Sequence, residues 1–294
     1  MTTTNLMVGS HDYRFVLLSI VISILAAYAA RNLAERVRDS HGGAWLAWLV
    51  GGAMAEAIGI WSMHYTAMQG FSLPISVLYD WPTVLLSLLF GIIGAGAALI
   101  AASRSNIGWL QAWGAGIFMG GVGISGLHFT AMAAMRMEAM HRYSPALVIL
   151  SIALAIVISS LALTFVFGDR RVGRSVRSHG SALLLGAANP VMHYTAMAGV
   201  SFNLAATVPD FTHAVSISSI GIIGVGIVPV MVLVVAMLTS VLDRLRRQGA
   251  LLDALFEQAP QAVALIGTDD RVFRINQEFT RLFGYTPQET ITTD

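Results

Sequence analysis

Seven stretches of this chain are long and apolar enough to cross a bilayer, a task that takes about 20 mostly apolar residues per helix. They cover residues 15–30 with flanks, 44–63, 84–102, 109–127, 146–167, 181–191 with flanks, and 215–241. Asn189 and Pro190 interrupt the sixth. Backbone polar groups inside lipid must be satisfied within the segment itself, so the expected fold is an all-α membrane protein with seven transmembrane helices. Composition agrees: 11% of the 294 residues are charged and the mean hydropathy is +0.71, against roughly 25% charged in a soluble domain. Residues 1–13 carry neither Arg nor Lys, so the first stretch reads as a retained helix and not as a cleaved signal peptide.

The few charges sort by side. Arg31, Arg36, Arg38, Arg104, Arg170, Arg171, Arg174, Arg177, Arg244, Arg246 and Arg247 follow odd-numbered spans, whereas Arg14, Arg136 and Arg142 lie in the opposite set of connections. Positive residues stay on the cytoplasmic side. The expectation is a multi-pass membrane protein, N-terminus outside and C-terminus in the cytoplasm. Trp45, Trp48, Trp81 and Trp109 near span ends suit interfacial anchors. A net charge of +1 provides no basic field for nucleic acid. The absence of Cys excludes disulfides, thiolate zinc sites and iron–sulfur clusters.

An internal repeat carries the chemistry. Ser62-Met63-His64-Tyr65-Thr66-Ala67-Met68, Gly126-Leu127-His128-Phe129-Thr130-Ala131-Met132 and Val191-Met192-His193-Tyr194-Thr195-Ala196-Met197 align on their histidines. Successive histidines are separated by one pair of helices. Gly91-Ile92-Ile93-Gly94-Ala95-Gly96 returns as Gly221-Ile222-Ile223-Gly224-Val225-Gly226, two repeat lengths further along. The architecture is therefore three two-helix repeats plus one helix. An even-numbered repeat keeps its orientation in the membrane, so the three histidines end their spans at one depth, near the outer interface, and can converge on one axis.

His64 and Met68, His128 and Met132, and His193 and Met197 are each four apart, which places both on one helical face. Met63, Leu127 and Met192 point away from that face. Imidazole with thioether favours copper, especially Cu(I). Three histidines with an open position also suit zinc, and a His/Met pair suits haem iron. Thioether adds nothing for zinc and no haem-attachment motif is present, so both rank behind copper. Packing of Met and His at helix ends is the competing explanation, but repeated fold elements do not by themselves require repeated histidine.

These motifs, their spacing and the seven-span frame resemble the MHYT family of bacterial integral membrane sensor domains, over about residues 8–245. The middle copy departs from the motif at Leu127 and Phe129. The resemblance implies copper bound through outer His and Met residues (His64, Met68, His128, Met132, His193, Met197) and sensing of oxygen, carbon monoxide or nitric oxide.

Outside the motifs, Glu56 is an acid well inside a span, about 12 Å inward of His64. Buried acids in membranes are costly and usually functional or paired. With Met63, Met192 and Asn189 it is a candidate to support the ligands; Asn189 also has work in relieving the backbone freed by Pro190. His141 with Met135, Met137 and Met140 reads as an interfacial loop. His11, His41, His179 and His213 read as lone loop histidines without functional weight. The Gly clusters at 91–96, 120–123 and 221–226 read as close helix packing.

Charge density rises after residue 241, to 14 charged residues in 53 from 19 in 241. Leu242, Leu245, Gly249, Leu252 and Phe256 follow heptad spacing, which suits a signalling helix in a homodimer. The domain reading is residues 8–241 for the membrane sensor, 242–256 for a linker helix, and 257–294 for the beginning of a further domain. There, the apolar run 262–266, Asp269-Asp270 and 271–276 read as strand, turn, strand. A helix over Gln277–Gly284 follows, and another starts at Pro287. Phe256, Asp269, Ile275-Asn276, Leu282-Phe283-Gly284-Tyr285 and Glu289 resemble the first part of a PAS domain, truncated and α+β. In proteins similar to this one the output is often cyclic di-GMP turnover or a histidine kinase, here expected beyond residue 294. The chain itself carries no nucleotide loop, nucleophile triad or acid pair, so it reads as non-enzymatic. The functional expectation is a sensor; a membrane transporter or channel for a metal ion or small molecule is the alternative, since parallel repeats also suit permeation.

Overall fold

A computed structural model describes residues 6–104, 108–167, 174–204, 210–268 and 271–285. Arg170, Arg171, the Asp269-Asp270 turn, Pro287 and Glu289 lie outside the described residues. The helices are α1 (Tyr13–Asp39), α2 (Gly42–Gln69), α3 (Trp81–Ser103), α4 (Trp109–Ile117), α5 (Gly126–Ala133), α6 (Pro145–Phe167), α7 (Arg174–Ala198), α8 (Ile217–Glu257) and α9 (Gln277–Phe283). A π-helical segment, Phe118–Ser125, joins α4 to α5. Five helical stretches are long and apolar enough to cross a membrane among the described residues: Tyr13–Asp39, Gly42–Gln69, Trp81–Ser103, Trp109–Ala133 and Pro145–Phe165. The sixth expected stretch falls within α7 and the seventh overlaps α8 from Ile217 onward, and α7 runs through Pro190 without a break.

The chain divides into two compact units, Met1–Val235 and Ala236–Asp294. In the first, α1 packs on α2, α2 on α3, α3 on the π segment and α5, α4 on α6, α6 on α7, and α7 back on α1. Three consecutive helix pairs thus close a ring. Small residues let the backbones meet, as helix contacts in lipid require. A Cβ on Gly94 would come within 2.8 Å of the Gly123 amide nitrogen, and one on Gly120 within 2.5 Å of the Ala155 carbonyl. Gly91, Gly94, Gly120 and Gly123 therefore face neighbouring backbone, whereas in the third cluster Gly221 meets the Gln69 side chain and Gly226 has open space where a Cβ would stand.

One end of this unit holds short strands that hydrophobic periodicity did not predict. They are β1 (Leu6–Met7), β2 (Ser10–His11), β3 (Phe71–Ser72), β4 (Leu78–Asp80), β5 (Met135–Arg136), β6 (Ala139–Tyr143), β7 (Val200–Leu204) and β8 (Ala214–Ser216). They pair antiparallel in the orders β1-β7-β6, β5-β4-β8 and β2-β3. All come from the N-terminus and from the connections that follow the three histidine motifs. The segment around His141, expected as an irregular interfacial loop, is β6. Asp80 caps α3, and the Thr83 hydroxyl and then its amide hold the Asp80 carboxyl below the usual carboxylate range. Arg136 from the next repeat sits 3.7 Å from the same carboxylate.

In the second unit, the end of α8 leads into the hairpin β9 (Ala264–Ile266) and β10 (Val272–Ile275), then α9. Gly284 ends α9 with φ 77°, a left-handed conformation that glycine adopts without a Cβ clash. Asn276 holds these pieces together. Its Oδ1 accepts from the amides of Val263 (2.9 Å) and Phe279 (3.0 Å), while Nδ2 donates to the carbonyls of Phe256 (3.1 Å) and Gln261 (2.8 Å). It is 1% exposed. Asn276→Ala leaves these buried groups without partners and is expected to destabilise this unit by about 2–3 kcal/mol. Limited proteolysis should then cut selectively within residues 258–285.

Candidate metal centre

Each motif histidine lies near the end of its helix, and the two-helix period brings the three ends together. His64 of α2, His128 of α5 and His193 of α7 are each 1% exposed. Their Nδ1 atoms form a triangle with edges of 3.2 Å (His64–His193), 3.2 Å (His64–His128) and 3.1 Å (His128–His193). The rings stand nearly perpendicular to one another, at 82–87°. Convergence on one axis is what an even-numbered repeat requires.

The triangle poses a chemical problem. An imidazole Nδ1 either carries a proton and donates, or bears a lone pair and accepts. Three such atoms in mutual contact cannot alternate, so at least one edge must join two donors or two acceptors. A cation at the centre removes the conflict, because it takes all three lone pairs at once. The edges are close to the roughly 3.3 Å between nitrogens bonded tetrahedrally at about 2.0 Å. The donor set and its spacing therefore fit a metal ion. In that tautomer the Nε2 atoms carry the protons, and all three are buried with no protein partner among the described residues. Aromatic packing orients the rings in place of the usual hydrogen bond: each meets the next residue edge-on, His64 on Tyr65 at 4.9 Å, His128 on Phe129 at 4.9 Å and His193 on Tyr194 at 4.8 Å.

Met68, Met132 and Met197 lie one turn beyond the histidines and are buried in the main apolar cluster, at 2%, 0% and 6% exposure. Met192 and Leu127 share that cluster, while Met63 packs separately with Ile22 and Ala67. Asn189 does not relieve its own helix around Pro190; it donates across to the Ile60 carbonyl of α2 at 3.3 Å, one turn from His64. Glu56 is buried, with Oε2 lacking a partner. It sits two turns below His64 and about a quarter-turn round the helix, so it does not join the triangle.

Sequence reasoning missed a second layer of rings. Tyr65 contacts Tyr79 of β4 (5.7 Å), Phe129 contacts Tyr143 of β6 (5.8 Å) and Tyr194 contacts His11 of β2 (6.1 Å). The motif's own aromatic residues were the available signal for this layer. Nothing local marked His11.

The chain thus combines a repeat-built helical unit holding three converging imidazoles with a small α+β unit that follows it in sequence. Comparisons with known proteins identify both parts. The MHYT model, described as a bacterial signalling protein N-terminal repeat, matches residues 58–115 and 121–178, and a PAS domain model matches residues 250–294. The chain therefore carries MHYT repeats followed by a PAS segment. It is 33% identical over 275 residues to the bifunctional diguanylate cyclase/cyclic di-GMP phosphodiesterase MucR of Pseudomonas aeruginosa, covering 92% of this chain and 40% of that protein. It is 34% identical over 199 residues to the cyclic di-GMP phosphodiesterase NbdA of the same species, covering 66% of this chain and 25% of that protein. The signaling protein YkoW of Bacillus subtilis is 25% identical over 203 residues, 66% of this chain and 24% of that protein. The chain thus spans less than half the length of these relatives. No solved structure matches.

Proposed function

We propose that this chain is the non-catalytic input region of a membrane signalling protein, and that it binds copper through His64, His128 and His193 at the outer face. The odd ring of imidazoles carries the reading, because protons alone cannot satisfy it. Met68, Met132 and Met197 supply thioethers on the same helical faces, the combination that favours Cu(I) over zinc. Copper held by three imidazoles would supply an open position for oxygen, carbon monoxide or nitric oxide. The protein's own part is to keep the site dry and its nitrogens converged through the packed rings of Tyr65, Phe129 and Tyr194.

The seven spans read from the sequence and its positive-inside pattern support a triad on the periplasmic side of the inner membrane and a PAS segment in the cytoplasm. The signal would pass along α8, on which Leu245 and Leu252 are exposed at heptad spacing and suit pairing in a homodimer. By likeness to MucR and NbdA, the output is cyclic di-GMP turnover. Elemental analysis of the purified chain after exposure to buffered Cu(I) tests the metal reading. About one copper per chain is expected for a single three-imidazole site; a copper-free chain would refute it.

A further inference from the structure

The triad is buried near the helix ends that lead into the strands, so an ion arriving from that side passes the stranded end of the unit. Three rings stand between the motif aromatics and that end: Tyr79, Tyr143 and His11. They occupy corresponding places in the three chains of contact, but they differ chemically. Burial pushes the Tyr143 phenol up to about 12 and raises Tyr79 as well, so both stay protonated and offer a metal little. His11 alone of the three is an imidazole, a ligand for soft and borderline ions.

His11 is also built into place. Its strand pairs with β3, His11 opposite Phe71, on the short connection that follows the His64 motif. Asp12 caps α1 by accepting from the Arg14 amide at 2.9 Å, and its own amide donates to the Gly70 carbonyl at 2.8 Å. A Cβ on Gly70 would come within 2.5 Å of Phe15 Cβ, so the end of α2 and the start of α1 are locked together. The His11 ring lies 4.9 Å from Phe71 and edge-on to Tyr194. It is half-buried, and its Nε2 is buried with no hydrogen-bond partner. A buried atom able to ligate a metal thus sits, without a hydrogen-bond partner, on a residue that solvent still reaches.

We propose that His11 is an access ligand, which takes a soft metal ion from the outer surface and passes it to the triad. This rests on the metal reading above. A residue on the path but outside the final site changes the rates of filling and emptying by the same factor and leaves the equilibrium unchanged. That property distinguishes it from a fourth ligand.

The test is a time course of Cu(I) uptake from a Cu(I) buffer by the purified whole chain, with release into a chelator, repeated with redox-silent Ag(I). His11→Ala is expected to slow both directions by about tenfold, equivalent to about 1.4 kcal/mol on the barrier, with unchanged final stoichiometry. His11→Met, which restores a soft donor, should recover most of the rate. His213→Ala removes an exposed imidazole beside Trp81 and should change nothing. Wild-type rates in His11→Ala would overturn the proposal, as would a lowered final stoichiometry or no rescue by Met. Wild-type protein that takes up no metal overturns the metal reading, and this inference with it.

Discussion

Replacing His64, His128 and His193 together by alanine is expected to take bound copper from about one ion per chain to background, because three imidazoles make one site. Each single replacement should do nearly as much. The nitrogens sit on edges of 3.1–3.2 Å without a distinguished corner, so no histidine is spare. Losing even an outer partner costs about 10–100-fold in metal affinity, and a direct ligand should cost more. Folding must be read separately, since alanine also leaves cavities under Tyr65, Phe129 and Tyr194. Thermal unfolding with and without copper does this. At a copper concentration of 100 times Kd, wild type gains about 2.7 kcal/mol; the variants should still unfold cooperatively but show no copper-dependent shift. Replacing Met68, Met132 and Met197 by leucine in the same assay keeps volume and removes the thioethers. Retention of copper by that variant would restrict the ligand set to imidazole.

The triangle is legible in the order of residues because its cause is arithmetic: successive histidines are one helix pair apart, and pairs of antiparallel helices preserve depth and direction. The strands at the same end are not. Such short pieces carry no readable period, and their partners lie far away, as Leu6 opposite Asn203 shows. The π-helical segment escapes for a related reason. Its Gly-rich sequence signals close packing, but the wider turn depends on what packs there. Gly123 lies against Gly94, and the Ser125 hydroxyl returns to the Gly120 carbonyl at 2.7 Å. Asn189 illustrates the limit for single residues. Its neighbour Pro190 suggests a local partner, whereas the observed acceptor, Ile60, is on another helix. His11 is the clearest case, since its surroundings come from β2–β3 pairing and from the Tyr194 ring of α7, near the other end of the membrane unit's sequence.

The same π segment supplies the largest expected effect on stability. Gly120→Val should prevent the membrane unit from folding into a monodisperse species in detergent, at a cost exceeding about 3 kcal/mol, the upper end of ordinary overpacking. The reason lies in what the new side chain would meet: the Ala155 carbonyl carbon and oxygen and the Ile156 nitrogen, all at 2.5 Å. These are backbone atoms of α6, which cannot swing aside as a rotamer can. Gly94→Val should fail similarly against Gly123. Gly114 lies one and a half turns before Gly120 and has nothing within 4 Å of its missing Cβ; Gly114→Ala should fold like wild type or better, given the higher helix propensity of alanine. Size-exclusion profiles and unfolding temperatures of the three variants check this. A well-folded Gly120→Val protein would mean that α4, the π segment and α6 do not approach as closely as they stand here. Copper binding in that sample then becomes informative, because the π segment leads directly into the helix that carries His128. A folded variant with an intact site would separate the bundle's packing from the geometry of its histidine triad.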